Sequence, residues 1–148
     1  MNKVVQDYFI RAAGLHQKGE LQEALYICKK IIDLQPMHLE GINLMGIIFA
    51  QKGEYAEAIA QFDQAIEFFP ELADSFYNKG LVLQSINRID ESVACYEEAI
   101  KRRSNYIEAL NNLGILYYAL KKLDRAIDVY HKLIEINPDF SEAHNNLA

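Results

Sequence analysis

The sequence predicts an all-α fold, a stack of antiparallel helix hairpins, and three observations carry that prediction. The chain lines up with itself in steps of 34 residues: Pro36, Pro70 and Pro138 share one rung with Ser104, and Gly46, Gly80 and Gly114 share another with Ala12. Ala24, Ala58, Ser92 and Ala126 form a third rung, and Ile32, Ile66, Ile100 and Ile134 a fourth. A repeat period of this size marks stacked supersecondary units rather than one central core. Within each period, apolar residues recur at the three-and-four spacing of a helix face. Helix-breaking residues then fall at fixed places between the apolar stripes.

Taken in order, the units are Val5–His38, Leu39–Leu72, Ala73–Tyr106 and Ile107–Phe140, and a fifth opens at Ser141. Together they form a single domain over residues 1–148, with repeats 5–38, 39–72, 73–106 and 107–140 and a partial repeat 141–148. Each unit holds two helices of about 14 residues. In the second, Ile42, Met45, Gly46 and Phe49 make the first apolar face, and Tyr55, Ala58, Ile59, Phe62, Ala65 and Ile66 make the next, which Pro70 stops. The break between the two helices falls on Gly19, Gly53, Asn87 and Lys121 in successive units. Glycine and then asparagine enter the left-handed region most cheaply, so Lys121 is a departure that costs about 1 kcal/mol. Gly46, Gly80 and Gly114 are expected to face Ala58, Ser92 and Ala126, letting paired helices approach closely. Ile42, Phe76, Leu110, Phe49, Leu83, Tyr117, Phe62, Tyr96 and Tyr130 would fill the flanks.

Composition excludes several classes of function. The 148 residues are 51% hydrophobic and 24% charged, which is globular rather than disordered. A net charge of −6 and a pI near 5.2 speak against nucleic acid and anionic membrane as partners. The local basic runs, Lys29–Lys30 and Lys101–Arg102–Arg103, sit near helix ends, where cations complement the dipole. Met1 to Ile10 does not read as a secretory signal, and Ile42 to Ala50 is too short to span a bilayer. Cys28 takes the rung of Phe62, Tyr96 and Tyr130 and reads as a small core residue. Cys95 lies two repeats away, so a reduced, cytoplasmic chain is expected.

No catalytic constellation emerges, and the sequence is not read as an enzyme. His16, His38, His131 and His144 occupy unrelated phases of the repeat, with no cysteine or carboxylate at metal-ligand spacing. His144 stands on the large apolar rung of Ile42 and Phe76 and reads as packing. The glycines form no phosphate-cradling loop. Glu20, Glu23, Glu54 and Glu57 compensate the dipoles of second helices. No cofactor and no metal are implied.

These landmarks resemble the tetratricopeptide repeat family, best in "LNNLGILYYALKKLDRAIDVYHKLIEINPDF" from Leu110 to Phe140 and nearly as well in Leu39 to Leu72. The resemblance runs from Val5 to the end of the chain. It departs at Ser104, where the third unit lacks its proline, at Ala12, and at Arg11 and Lys79, which replace Met45 and Leu113. It implies a right-handed α-solenoid whose first helices line a concave, peptide-binding groove. Carried over residue by residue, the groove is expected to comprise Phe9, Asn43, Leu44, Ile47, Asp74, Tyr77, Asn78, Leu81, Glu108, Asn111, Asn112, Ile115 and Tyr118. It would be apolar in its first half and rich in asparagine in its second. A carboxamide offers a donor and an acceptor to a peptide backbone, though the same asparagines also serve to bond neighbouring turns.

Chaperone-cofactor members of the family clamp a C-terminal carboxylate with Lys, Asn, Asn, Lys and Arg. Here those positions are Phe9, Ala13, Leu44, Asp74 and Asn78, or one repeat on Asn43, Ile47, Asn78, Glu108 and Asn112, with no cation in either set. The acidic rung Glu40, Asp74, Glu108 and Glu142 points to a neutral or basic protein or peptide instead. The expected function is a non-catalytic protein–protein interaction scaffold. Two alternatives stand beside it. The "EALNNLG" and "EAHNNLA" words are similar to the repeat arm of O-linked N-acetylglucosamine transferases, which would make the chain the substrate-recognition arm of a larger enzyme. The third is a self-assembling structural module, because Ile127, Val129, Leu133 and Ile136 would be left partly uncovered behind the half helix at Ser141, inviting association through that end.

Overall fold

In the computed structural model, which describes residues 2–148, the repeat ladder becomes a succession of helices with no strand among the described residues. In chain order they are α1 (Lys3–Gln17), α2 (Leu21–Leu34), α3 (Leu39–Gln51), α4 (Tyr55–Phe68), α5 (Ala73–Ser85), α6 (Ile89–Arg102), α7 (Ile107–Ala119), α8 (Leu123–Ile136) and α9 (Ser141–Leu147). Odd-numbered helices are the first helices of the repeats and even-numbered ones the second. The chain divides into two compact units, the first running to Glu71 and the second from Leu72 to Ala148. Helices α3, α5, α7 and α9 begin at the residues that open the second to fifth repeats. Helix α1 begins two residues before Val5, because the Asn2 side chain accepts a hydrogen bond from the Val4 N–H at 3.1 Å and caps it. Among the described residues, no helix is long and apolar enough to cross a membrane.

The break between paired helices is a backbone device. Gly19 and Gly53 have φ of 78° and 77°, and Asn87 and Lys121 both have φ of 61°. At each break the next N–H reaches back to a carbonyl at the helix end: Glu20 to Leu15, Glu54 to Phe49, Arg88 to Leu83 and Lys122 to Tyr117, at 2.8 to 3.0 Å. One left-handed residue thus satisfies an orphan carbonyl and turns the chain, whatever side chain it carries.

Packing follows the small-residue rungs, with one correction. A Cβ placed on Gly46 would meet the Phe62 ring at 2.6 Å, one on Gly80 the Tyr96 ring at 2.7 Å, and one on Gly114 the Tyr130 ring at 2.7 Å. The glycines therefore seat aromatic rings of the second helix, rather than facing Ala58, Ser92 and Ala126 alone. Ser92 still contributes, donating its hydroxyl to the Gly80 carbonyl at 2.8 Å. Phe62, Tyr96 and Tyr130 are almost wholly buried, as are Ile31 and Ile42 in the first unit and Leu110 and Leu133 in the second. Each such side chain contributes about 1.5–3 kcal/mol by leaving water. Within each unit one hairpin stacks on the next, α3 on α2 and α7 on α6, so neighbouring hairpins bury each other's apolar faces.

The uncovered end is also narrower than the sequence suggests. Leu133 is fully buried and Val129 and Ile136 are half-buried, whereas Ile127 is 43% and Leu123 49% exposed. Cys28 and Cys95 are both buried, in different units, and burial pushes the Cys28 thiol up to about 12. Such thiols are inert packing atoms.

Candidate functional site

The residues expected to line a groove all lie on first helices, whose side chains at three-and-four spacing share a face. In the first unit, Phe9 is half-buried with its ring 5.6 Å from the His38 ring, and Asn43 and Ile47 are half-buried. Leu44 is only 8% exposed and offers almost no surface to a ligand. His16 and Gln51 tie α1 to α3 by a side-chain hydrogen bond of 2.9 Å. His38 is a structural residue: its Nδ1 accepts the Gly41 N–H at 3.0 Å and caps α3.

In the second unit, Tyr96 is the hub of the arrangement. Its hydroxyl donates to Gln84 Oε1 at 2.8 Å and accepts from Asn112 Nδ2 at 3.4 Å, joining α5, α6 and α7. Burial pushes the Tyr96 phenol up to about 12. The Tyr77 ring lies 5.8 Å from that of Tyr96 and 4.9 Å from that of Tyr106. Burial, then the Glu108 charge, raises the Tyr77 phenol as well. Asn111 donates to Glu142 Oε2 at 2.8 Å, linking α7 to α9.

The acidic rung is less free than the sequence suggests. Asp74 accepts two bonds from the Arg103 guanidinium, at 3.0 and 2.8 Å, and a third from the Tyr106 hydroxyl at 2.8 Å. The Arg103 pairing holds the Asp74 carboxyl below the usual carboxylate range, and the Tyr106 bond acts in the same direction. Glu40 lies 3.7 Å from His38 Nδ1, whereas Glu108 is exposed. The basic run after Ile100 is likewise occupied: Lys101 donates to Glu98 at 3.0 Å, Arg102 pairs with Glu98 and stacks over Phe76, and Arg103 stacks over Tyr106.

What stays open is apolar. Leu81 on α5 is 39% exposed, and Ile115 and Tyr118 on α7 are 43% and 63% exposed, beside half-buried Asn78. Of the thirteen groove positions, the second unit thus presents Asn78, Leu81, Glu108, Ile115 and Tyr118 on its surface, and ties Asp74, Asn111 and Asn112 to neighbouring turns. The His38 cap and the Tyr96 hub went unread in the sequence. The signal for the first was a hydrogen-bonding side chain three residues before Gly41, and for the second a phenol hydroxyl on a rung that holds Cys28 and Phe62 in the first two repeats.

Hairpins of near-constant length, broken by one left-handed residue and closed on themselves through small-residue rungs, define a helical-repeat protein. The chain belongs to the tetratricopeptide repeat family: its TPR repeat model matches residues 46–87 and 85–121, and its tetratricopeptide repeat model matches residues 107–140. The fold class is accordingly the all-α solenoid of helix hairpins, the fold of protein–protein interaction scaffolds. No curated protein sequence matches the chain. Among solved structures it is similar to a tetratricopeptide repeat protein from Parabacteroides merdae, with a TM-score of 0.89 at 18% identity over 98% of this chain and 58% of that one. MamA from Desulfovibrio magneticus gives a TM-score of 0.84 at 24% identity, covering 99% of this chain and 83% of that one. A Thermobaculum terrenum O-GlcNAc transferase mutant gives 0.78 at 19% identity, covering 88% of this chain but 26% of that one. At these identities the likeness is one of fold.

Proposed function

We propose that the protein is a non-catalytic scaffold that binds a partner polypeptide along its first-helix surfaces, with its repeats acting as one recognition domain. The observation that carries this is the row of exposed Leu81, Ile115 and Tyr118 on the first helices α5 and α7. Asn78 stands beside that row with a donor and an acceptor for a peptide backbone. Exposed Glu108 favours a neutral or basic segment over a terminal carboxylate. The reading as an arm of a transferase gains nothing here, because Asn111 and Asn112 are engaged within the protein.

The test is selection of peptides from a displayed library on the purified protein, followed by calorimetry on variants. Leu81→Lys is expected to weaken a selected peptide by tenfold or more, and Asn78→Ala by about fivefold, the worth of one ordinary hydrogen bond. Both variants should keep the wild-type melting curve. Peptides that bind Leu81→Lys as tightly as wild type would sink the proposal.

A further inference from the structure

Beneath the 34-residue ladder runs a period twice as long. Where the first and third repeats carry Phe9 and Tyr77, the second and fourth carry Asn43 and Asn111, and Arg11 and Lys79 alternate in the same way with Met45 and Leu113. Each of the two compact units holds one full double period. The contacts recur with the residues. The Phe9 ring lies 5.6 Å from the His38 ring, and the Tyr77 ring 4.9 Å from that of Tyr106, which takes the place of His38 one double period on. Arg11 pairs with Glu23 at 2.9 Å, and Glu91, the counterpart of Glu23, is held below the usual carboxylate range by Arg88 and then by Lys79.

Each unit therefore repeats one constellation. A half-buried ring stands on its opening helix, α1 or α5, and a carboxylate follows in the first turn of the next first helix, Glu40 on α3 or Glu108 on α7. Glu40 Oε2 lies 3.7 Å from His38 Nδ1, but that nitrogen accepts the Gly41 N–H and has no proton to share, so the carboxylate keeps its charge. Glu108 is exposed, and its charge raises the Tyr77 phenol second only to burial, so it acts on that ring. What such a carboxylate takes is shown by Asp74, on the same rung. It receives the two-pronged Arg103 guanidinium at 3.0 and 2.8 Å, and that guanidinium stacks over the Tyr106 ring. In the second unit Asn111 Oδ1 is also buried without a hydrogen-bond partner, so a donor is what that place lacks. A guanidinium meets each demand, with a flat face for a ring and a fork of donors for oxygen.

The geometry points to one arginine seat in each unit, Phe9 with Glu40 and Tyr77 with Glu108, by which a partner polypeptide is gripped through two of its basic side chains. This rests on the peptide-binding reading above and names the residue such a partner presents. The probe is the peptide acetyl-Ala-Leu-Arg-Leu-Ala-amide, with twins that carry citrulline or glutamate in place of the arginine. Citrulline keeps the shape of arginine without its charge. Backbone amide resonances of the isotope-labelled 148-residue chain are followed by NMR at low salt, in wild type and in the Glu40→Gln and Glu108→Gln variants. The arginine peptide is expected to move two separate sets of resonances, one about α3 and one about α7, with two peptides bound per chain. The citrulline peptide should bind about tenfold more weakly at both seats, and the glutamate peptide more weakly still. Glu40→Gln should weaken the first seat alone by a similar factor, and Glu108→Gln the second alone. Both side chains are exposed, so the fold persists, which a melting curve verifies. A single set of shifts, equal binding of the citrulline peptide, variants that bind as wild type, or no binding of the arginine peptide overturns the inference. Any of these results sinks the arginine seats alone, because the Leu81 row is tested separately by the library peptides and their response to Leu81→Lys.

Discussion

Adding one methyl group at each helical glycine separates two kinds of glycine that the sequence cannot tell apart. A glycine-to-alanine change inside a helix stabilises by roughly 0.5–1 kcal/mol when the new Cβ meets nothing. Gly14 on α1 is such a position, with no atom within 4 Å of the added carbon. At Gly80 the same carbon would lie 2.7 Å from Tyr96 Cε1 and 2.9 Å from Cδ1, well inside van der Waals contact. The ring has little room to yield: its hydroxyl is bonded to Gln84 at 2.8 Å, and its residue is fully buried. Overpacking of this kind costs about 1–3 kcal/mol, which outweighs the gain in helix propensity. The net expectation is a loss of about 1–2 kcal/mol for Gly80→Ala and a gain of up to about 1 kcal/mol for Gly14→Ala.

Gly46 and Gly114 make a graded series with Gly80. Their partners, Phe62 and Tyr130, approach as closely, at 2.6 and 2.7 Å, but Phe62 has no hydroxyl to anchor it. Gly46→Ala should therefore cost less than Gly80→Ala. Urea unfolding followed by circular dichroism resolves these differences, and at this chain length a loss of 1 kcal/mol lowers the melting temperature by about 2–4 °C. If Gly80→Ala proves as stable as Gly14→Ala, the close glycine–ring contact does not exist and the account of hairpin packing fails.

Lys121 holds φ of 61°, so Lys121→Gly should stabilise by about 0.5–1 kcal/mol, whereas Gly53→Ala at φ of 77° should destabilise by a similar amount. Equal melts for Lys121→Gly and wild type would contradict that. Tyr96 predicts an alkaline limb: its phenol is pushed up to about 12 from about 10 in the unfolded chain, so above pH 10 the unfolded state binds fewer protons and stability falls until about pH 12. Burying that one phenol accounts for about 2–3 kcal/mol of the fall. Tyr96→Phe should cost about 1 kcal/mol at neutral pH but flatten the limb, and unfolding at pH 8 and pH 11 with equal losses in both proteins would refute it.

Where a repeat obeys its period, each residue was legible from its equivalents; where it departs, the structure had to be seen. The left-handed character of Asn87 and even Lys121 followed from Gly19 and Gly53, because backbone conformation is inherited by position. The glycine partners were legible only in part, because a one-dimensional ladder gives spacing along each helix but not rotation between helices, and rotation lets Gly80 meet both the Ser92 hydroxyl and the Tyr96 ring. His38 was passed over because its rung otherwise holds Leu72, Tyr106 and Phe140. Only the hydrogen bond to Gly41 reveals that its ring nitrogen replaces the oxygen of an ordinary cap.

The third repeat shows how a departure is compensated. Prolines at 36, 70 and 138 restrict the chain after three of the second helices, and Ser104 lacks that restriction. In its place the preceding residue, Arg103, makes a two-pronged bond to Asp74, and Tyr106, two residues on, donates to the same carboxylate. The corner is thus held from both sides by one acidic side chain on α5 rather than by a ring in the backbone. That has a functional consequence: the carboxylate that the sequence assigned to the groove edge is engaged at this corner. The surface proposed for recognition on the second unit is therefore Glu108, Leu81, Ile115 and Tyr118, whose side chains the packing leaves exposed. A substitution that returns proline at 104 would restrict the same corner through the backbone, while Arg103 and Tyr106 continue to occupy the Asp74 carboxylate.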